Sequence, residues 1–107
     1  MMKSVRNAVA AVLMMGVAGS VSFAQSSAEA LYKQKCQMCH GEKGMADSGA
    51  GKAMKVKPAT DPEVKKMSEA QMIDAVRNGM GKMQAYKDKL SDAQIKDAVG
   101  YFRTFVK

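Results

Sequence analysis

The sequence has few of the residues on which most catalytic and metal sites depend. It contains one histidine, two cysteines, two prolines and no tryptophan in 107 residues. One histidine excludes any site that needs two imidazoles from one chain, and two cysteines are too few for a multi-bridge disulfide scaffold or a four-cysteine zinc site. The length excludes a multidomain enzyme. No apolar run reaches the roughly 18 residues that a membrane-spanning helix needs.

The first 24 residues have the features of a secretory signal peptide. Lys3 and Arg6 precede the apolar residues 8–21, and small residues occupy the peptidase positions up to Ala24. We predict cleavage after Ala24, a folded domain over residues 25–107, and a location in the periplasm. An uncleaved N-terminal anchor is the alternative, but the apolar stretch of 14 residues is short for a membrane span.

Cleavage leaves a small, basic domain. It has 83 residues and a net charge of +5, against +7 for the whole chain. A domain of this size buries a small core and often needs a disulfide, metal or cofactor for stability. In an oxidising compartment its two cysteines should be paired or consumed by other chemistry.

The first half of this domain is predicted to contain a helix, a long loop and a short helix. Residues 27–38 form the first helix. Residues 41–60 are rich in glycine and are typical of an irregular loop, with a helical turn over residues 52–56. A loop of this length in a compact domain is expected to cover something. Asp61 and Pro62 supply a capping residue and a proline at the first helical position, so a short helix begins there.

The second half is predicted to contain two helices that begin with the same capping box. In each box a serine accepts from the N3 amide while a glutamine side chain reaches back: Ser68 with Gln71, and Ser91 with Gln94. The hydrophobic staple positions beside these boxes hold Met67, Met72, Leu90 and Ile95. The helix that begins at Ser68 ends at Asn78 and Gly79. The helix that begins at Ser91 has apolar residues at helical spacing, namely Ile95, Val99, Phe102 and Val106. No segment of the domain shows the pattern of a β-strand, so the domain is predicted to be all-α.

The residues with the clearest chemistry are 36–40, here called the attachment segment. They read Cys36-Gln37-Met38-Cys39-His40, the Cys-x-x-Cys-His sequence of c-type haem attachment. Cysteines three apart lie near one face of a helical turn, where each forms a thioether with one of two neighbouring haem vinyl groups. His40 is then held under the iron as an axial ligand. The sequence predicts one covalently bound haem c, which also supplies a large apolar plate to a small core.

Three other uses of these residues are alternatives to haem attachment. A thiol-redox pair uses the same two cysteines, but it normally opens a helix beside a βαβ sheet. A zinc site needs four ligands, and the attachment segment supplies three. A disulfide between residues three apart closes a very small loop and stabilises little.

The second axial ligand of the iron must be a residue other than histidine. Methionine is the leading choice because a thioether stabilises ferrous iron and raises the reduction potential. The domain has seven methionines, most of them expected to fill the core: Met38, Met45, Met54, Met67, Met72, Met80 and Met83. Met80 and Met83 remain as candidates because Gly79 and Gly81 make their loop adaptable.

The chain resembles the small class I cytochromes c, which are bacterial monohaem electron carriers. The resemblance runs from about residue 28 to 107. It rests on Leu31-Tyr32 before the attachment segment, on Asn78-Gly79-x-Gly81-x-Met83-x-Ala85-Tyr86, and on Gln94-Ile95, Val99 and Tyr101-Phe102-Arg103. It implies the cytochrome c fold, in which N- and C-terminal helices cross and one or two intermediate helices and loops surround the haem. It also implies that Met83 is the distal ligand and that Met80 occupies a variable position.

The resemblance carries three further expectations about positions near the haem. Gln84 stands where the family has proline, which would fix the backbone beside the ligand, so a looser loop would let Met83 exchange with Met80 or Lys82. An aromatic residue of the last helix should pack near the first helix, the candidates being Tyr32, Tyr101 and Phe102. The carbonyl of Pro58 is the candidate acceptor for the second ring nitrogen of His40.

The lysines are the remaining feature with a functional interpretation. Eleven of them flank or lie between the two ligand segments: Lys33, Lys35, Lys43, Lys52, Lys55, Lys57, Lys65, Lys66, Lys82, Lys87 and Lys89. A positive rim around an exposed haem edge would steer a redox partner with an acidic docking surface. The alternative is a solvated face that keeps a small protein soluble. Candidate contacts of the haem propionates are Lys52, Lys55, Lys57 and Tyr86.

These observations favour an exported, monomeric electron carrier over an enzyme. A carrier passes one electron at the haem edge with both axial positions filled. An enzyme that activates peroxide or binds a gas would need a distal acid or base, and the only histidine is already the proximal ligand. A tethered module or subunit of a larger respiratory complex is the third possibility. Nucleic acid binding is not expected, because no basic-aromatic motif is present.

Overall fold

The computed structural model describes residues 27–107, and this part of the chain is helical. Helix α1 covers residues 27–35. The other elements are α2 (Gln37–His40), α3 (Gly49–Ala53), α4 (Pro62–Lys66), α5 (Glu69–Asn78) and α6 (Asp92–Arg103). The described residues contain no strand, only an isolated bridge between Met80 and Met83. None of their helices has the length and apolar character to cross a membrane. The signal peptide predicted for residues 1–24 lies outside the described residues.

The short helical segments differ from the predicted ones. The turn expected over residues 52–56 lies three residues earlier, as α3. Ser48 begins it, because its hydroxyl accepts a hydrogen bond from the Gly51 N–H at 3.0 Å. The helix predicted for residues 27–38 ends before Cys36, and α2 follows as a separate turn. Four helical segments therefore separate α1 from α6. They are the two expected helices α4 and α5, the displaced turn α3, and the additional single turn α2.

The predicted helix starts are confirmed. At α4 the Asp61 carboxylate accepts from the Glu63 N–H at 2.9 Å, with proline in the first turn. Both capping boxes are formed in full at the starts of α5 and α6. Helix α5 ends at Gly79, whose φ of 84° lies in the left-handed region that favours glycine. Each of these starts and stops is local, which is why the sequence alone located them.

The core lies where α5 and α6 pack together. Its buried members are Met72, Leu90, Ile95 and Val99, and the half-buried side chains against them include Leu31, Met67, Phe102 and Val106. All four staple residues are thus in or against the core, as predicted. Each fully buried aliphatic side chain such as Ile95 contributes roughly 1.5–3 kcal/mol. Val106 lies beyond the end of α6 but still packs there.

Helix α1 is joined to α6 through aromatic rings. Tyr32 is 1% exposed, and its ring centroid lies 5.1 Å from that of Tyr101, 6.5 Å from Phe102 and 5.9 Å from Phe105. The expected contact between the first and last helices is therefore present, with Phe105 as an additional member. This packing fixes the end of α1, from which the attachment segment continues.

Candidate haem site

The attachment segment forms one tight helical turn at the end of α1. The Cys36 N–H donates to the Tyr32 carbonyl at 2.9 Å, and the Cys36 carbonyl accepts from Cys39 at 3.3 Å and from His40 at 3.0 Å. Residues three and four apart in such a turn are neighbours on its surface. The two thiols and the imidazole therefore belong to one short piece of backbone.

Both thiols are free and half-buried. Burial, with a smaller contribution from neighbouring Cys39, raises the pKa of the Cys36 thiol to about 11. The cysteines of thiol-redox pairs instead have lowered pKa values, because the thiolate is the nucleophile. The environment of Cys36 therefore does not favour the thiol-redox alternative. Residues 27–107 also hold no group of three or more His, Cys, Asp or Glu side chains arranged to bind a metal ion.

His40 presents a neutral imidazole. Burial lowers its pKa, so the ring keeps the lone pair that a metal ligand needs. The ring packs edge-on against Phe102, with centroids 5.3 Å apart. Its Nδ1 is buried and has no hydrogen-bond partner among the described residues. The expected hydrogen bond to Pro58 is absent. The Pro58 carbonyl instead accepts from the Asp61 N–H at 2.9 Å in the turn before α4.

The loop that follows the attachment segment is tied back to it. The Ala46 N–H donates to the His40 carbonyl at 2.8 Å, and the Ser48 hydroxyl donates to the Met38 carbonyl at 2.6 Å. The long loop expected to cover something therefore covers the attachment segment itself. Ser48 was not singled out in the sequence, although a serine ahead of a helical turn is a recognised capping signal.

Gly51 permits the close approach of α3 to the attachment segment. It is buried, and a Cβ at this position would lie 2.4 Å from the Cys39 carbonyl oxygen and 2.8 Å from that of Ala46. Any larger residue would push α3 away from the two cysteines. The glycine-rich composition of this loop was visible in the sequence, but the position that needs glycine was not.

The Tyr32 hydroxyl binds the backbone directly after the attachment segment. It donates to the Gly41 carbonyl at 2.6 Å in a buried position. Burial raises the pKa of Tyr32 well above its ordinary value, so the hydroxyl remains a donor. Since Gly41 directly follows His40, this bond joins the aromatic packing of α1 to the backbone that carries the imidazole.

Replacing Tyr32 with phenylalanine is expected to lower the free energy of unfolding of the holoprotein by about 1 kcal/mol. The buried Gly41 carbonyl would lose its shorter hydrogen bond and keep only the one from the Gly44 N–H, at 3.3 Å. Chemical denaturation followed by circular dichroism measures this. Tyr101→Phe is the matched control, since its ring packs on Tyr32 and its hydroxyl donates no hydrogen bond to the described residues. Equal losses in the two variants would contradict the expectation.

Residues 79–83, here called the methionine turn, bring the chain back along α5. Met80 and Met83 exchange two backbone hydrogen bonds, of 3.1 and 2.9 Å, with Gly79 and Gly81 at φ values of 84° and 57°. Residues paired in this way lie opposite each other on one side of the turn. Met80 is 60% exposed, whereas Met83 is half-buried. The two candidate ligands therefore differ in burial rather than in direction.

Most of the methionines are not in the core, contrary to the prediction. Of the seven, only Met67 and Met72 pack there. The exposed large hydrophobic side chains are Met38 (75%), Met45 (37%), Met54 (36%) and Met80 (60%). The sulfur of Met54 lies 4.0 Å from the Cys39 thiol. The exposed Met38 and Met54 side chains lie within and beside the attachment segment, and fit a large apolar group held there.

Two of the four candidate propionate contacts have protein partners instead. Lys57 forms an ion pair with Glu63. The Tyr86 hydroxyl donates to a backbone carbonyl of α1 at 3.2 Å. Lys52 and Lys55 are exposed.

Comparisons with known proteins agree with this site. Residues 23–102 match the sequence model of the family described as cytochrome C oxidase, cbb3-type, subunit III. The solved structure of the KustC0563 c-type cytochrome is similar, with 30% identity, a TM-score of 0.67, and coverage of 74% of this chain and 96% of that chain. A mutant of that protein with one tyrosine replaced by phenylalanine gives 27% identity, a TM-score of 0.66, and coverage of 74% and 98%. None of the curated proteins compared matches the chain.

The family match covers most of the chain, and the similar solved structures are c-type cytochromes. Both agree with an all-α fold that holds a Cys-x-x-Cys-His turn. The chain therefore belongs to the family of cbb3-type cytochrome c oxidase subunit III domains and is a small monohaem cytochrome c, a haem-based electron carrier with covalently bound haem c.

Proposed function

We propose that the chain is an exported, monomeric electron carrier whose iron is held by His40 and Met83. Cys36 and Cys39 would hold the haem through two thioether bonds. When bound, the haem supplies an iron that alternates between ferric and ferrous states and so takes up and releases one electron. The observation that carries the proposal is the half-buried imidazole of His40, with its Nδ1 buried and without a hydrogen-bond partner, directly after two free cysteines.

The residues around the two ligands support different parts of this proposal. The contact with Phe102 orients the His40 ring. His40 is the only imidazole of the chain, so a thioether is the best soft ligand for the opposite side. The half-buried Met83 lies in a turn closed by two backbone hydrogen bonds, whereas Met80 is largely exposed.

Export is proposed from the N-terminal sequence. A basic start, a short apolar stretch and small residues before Ala24 are the features of a cleaved signal peptide. The mature domain, residues 25–107, would then act in the periplasm. This location fits a c-type cytochrome, because c-type haem is attached outside the cytoplasm.

Docking of acidic redox partners is supported by exposed lysines that form no ion pair with the described residues. Lys33 pairs with Glu29 and Lys57 pairs with Glu63, so these two lysines are partly neutralised. The exposed lysines that form no ion pair with any described residue include Lys35, Lys43, Lys52, Lys55, Lys82 and Lys87. Lys35 directly precedes the attachment segment, and Lys82 lies within the methionine turn. One lysine without an ion pair thus borders the attachment segment, and one lies in the methionine turn.

The proposed docking mode is tested by oxidising the ferrous holoprotein with two small oxidants of opposite charge. We expect the rate with ferricyanide, an anion, to fall about tenfold between about 10 and 500 mM ionic strength. The rate with the cationic tris-phenanthroline complex of cobalt(III) should rise over the same range. Equal salt dependence for both oxidants would contradict a positive docking surface. A ferrous spectrum that shifts immediately with carbon monoxide would indicate an open iron and favour the enzyme alternative.

A further inference from the structure

We propose that Gln84, Tyr86 and Lys89 are positioning residues that hold the methionine turn against the end of α1. Together with the Lys35 carbonyl they are called the Gln84 network. The effect of the network on access to the iron rests on the proposed ligation by Met83. Its effect on opening of the methionine turn does not depend on that ligation.

The network is a continuous chain of hydrogen bonds. The Lys89 ammonium donates to Gln84 Oε1 at 2.6 Å, and Gln84 Nε2 donates to the Tyr86 hydroxyl at 3.3 Å. That hydroxyl donates in turn to the Lys35 carbonyl at 3.2 Å. Lys89 also lies 5.7 Å from the centroid of the Tyr86 ring, within cation–π range. The chain of bonds therefore reaches from beyond the methionine turn to the residue just before Cys36.

Tyr86 is the fixed point of this network. Its N–H donates to the Val76 carbonyl of α5 at 2.9 Å, and its carbonyl accepts from the Leu90 N–H at 2.9 Å. Its ring is half-buried against the core. Gln84 is two residues before this anchored tyrosine and directly follows Met83. Holding the Gln84 side chain thus restrains the backbone next to the proposed ligand.

Gln84 stands at a position where the resemblance to class I cytochromes c implies proline, and the network gives this position a different restraint. Proline restrains the backbone through its ring, and its absence predicted a looser loop. A glutamine amide has both an acceptor oxygen and donor hydrogens, so this one side chain joins Lys89 to Tyr86. The bond from Lys89 is charge-assisted, which makes it stronger than one between neutral groups. Side-chain hydrogen bonds therefore take the place of the proline ring.

The test uses the holoprotein and the variants Gln84→Ala and Lys89→Met, with Lys87→Met as the matched control. Lys87 is exposed, loses the same charge and takes no part in the network. Hydrogen exchange of the Met80 and Met83 amides reports opening of the turn. Replacement of the protein ligand by imidazole in the ferric protein reports access to the iron. We expect both rates to rise about fivefold in Lys89→Met, which loses the bond to Gln84, and at least as much in Gln84→Ala, which also loses the bond to Tyr86. Both rates should stay unchanged in Lys87→Met.

The combined variant Gln84→Ala/Lys89→Met distinguishes a shared bond from independent effects. If the two side chains act through one bond, the amide exchange rate of the combined variant will match that of Gln84→Ala, which already lacks the bond to Lys89. Multiplication of the two effects, to about 25-fold, would overturn the network. Exchange as slow as in the wild type for Gln84→Ala, or an equal rise in Lys87→Met, would also overturn it. If exchange rises as expected but Met83→Ala leaves the spectrum of the iron unchanged, the network stands and Met83 ligation fails.

Discussion

Replacing both Cys36 and Cys39 with alanine should yield a protein without covalently bound haem. The two thioether bonds need these thiols, and the chain has no other cysteine. Each single variant should keep one bond. The measurement is extraction of the purified protein with acidified acetone, which removes free haem and leaves covalent haem on the chain, followed by mass determination.

The same double variant should also be poorly folded. A domain of this size has a small core, and four of its methionines are exposed rather than packed in that core. We therefore expect a large loss of helical circular dichroism in the variant. Met54→Leu is the matched control, because Met54 lies 4.0 Å from the Cys39 thiol but is not expected to bond to haem. Covalent haem in the double variant would place the attachment elsewhere in the chain.

Replacing Met83 with alanine should remove the sulfur-to-iron charge-transfer band of the ferric protein. A thioether ligand favours ferrous iron, so the reduction potential should also fall. The expected fall is on the order of 0.1 V, a fraction of the roughly 0.8 V over which axial ligands set haem potentials. Optical spectroscopy and a redox titration measure the two effects.

Met80→Ala is the control for this experiment, because Met80 is paired with Met83 across the same turn and is a thioether of the same kind. We expect it to keep both the band and the potential. Loss of the band in Met80→Ala alone would assign the ligand to Met80. A band that persists in both single variants and disappears in the double variant would mean that the two thioethers exchange at the iron.

Short-range features explain most of what could be predicted from the sequence. The capping boxes at Ser68 and Ser91 are complete within four residues, and the glycine at 79 ends α5 through its own backbone conformation. The attachment segment is equally local, since one helical turn contains both thiols and the imidazole. The aromatic contact between α1 and α6 was expected from the resemblance to class I cytochromes c, and the Tyr32 ring confirms it.

Contacts between distant residues were not predictable in the same way. Pro58 was the candidate partner of His40, but its carbonyl is used in a local turn. Most methionines were expected in the core because composition does not reveal on which surface a side chain lies, and four of them are exposed. The need for glycine at position 51 depends on the Cys39 carbonyl, which α3 approaches only in the folded chain.

The sequence by itself therefore determined the helix boundaries set by caps, the all-α class and the residues offered for haem attachment, because each depends on neighbours within a few positions. Only the tertiary structure decided which distant side chains hold the attachment segment and the methionine turn in place. Tyr32 reaches the Gly41 carbonyl, and Gln84 joins Lys89 to Tyr86 and through it to Lys35, 51 residues away in the chain. Such bonds form only when the apolar faces of α1, α5 and α6 pack together and bring these segments into contact. A local sequence pattern does not predict contacts between residues so far apart in the chain.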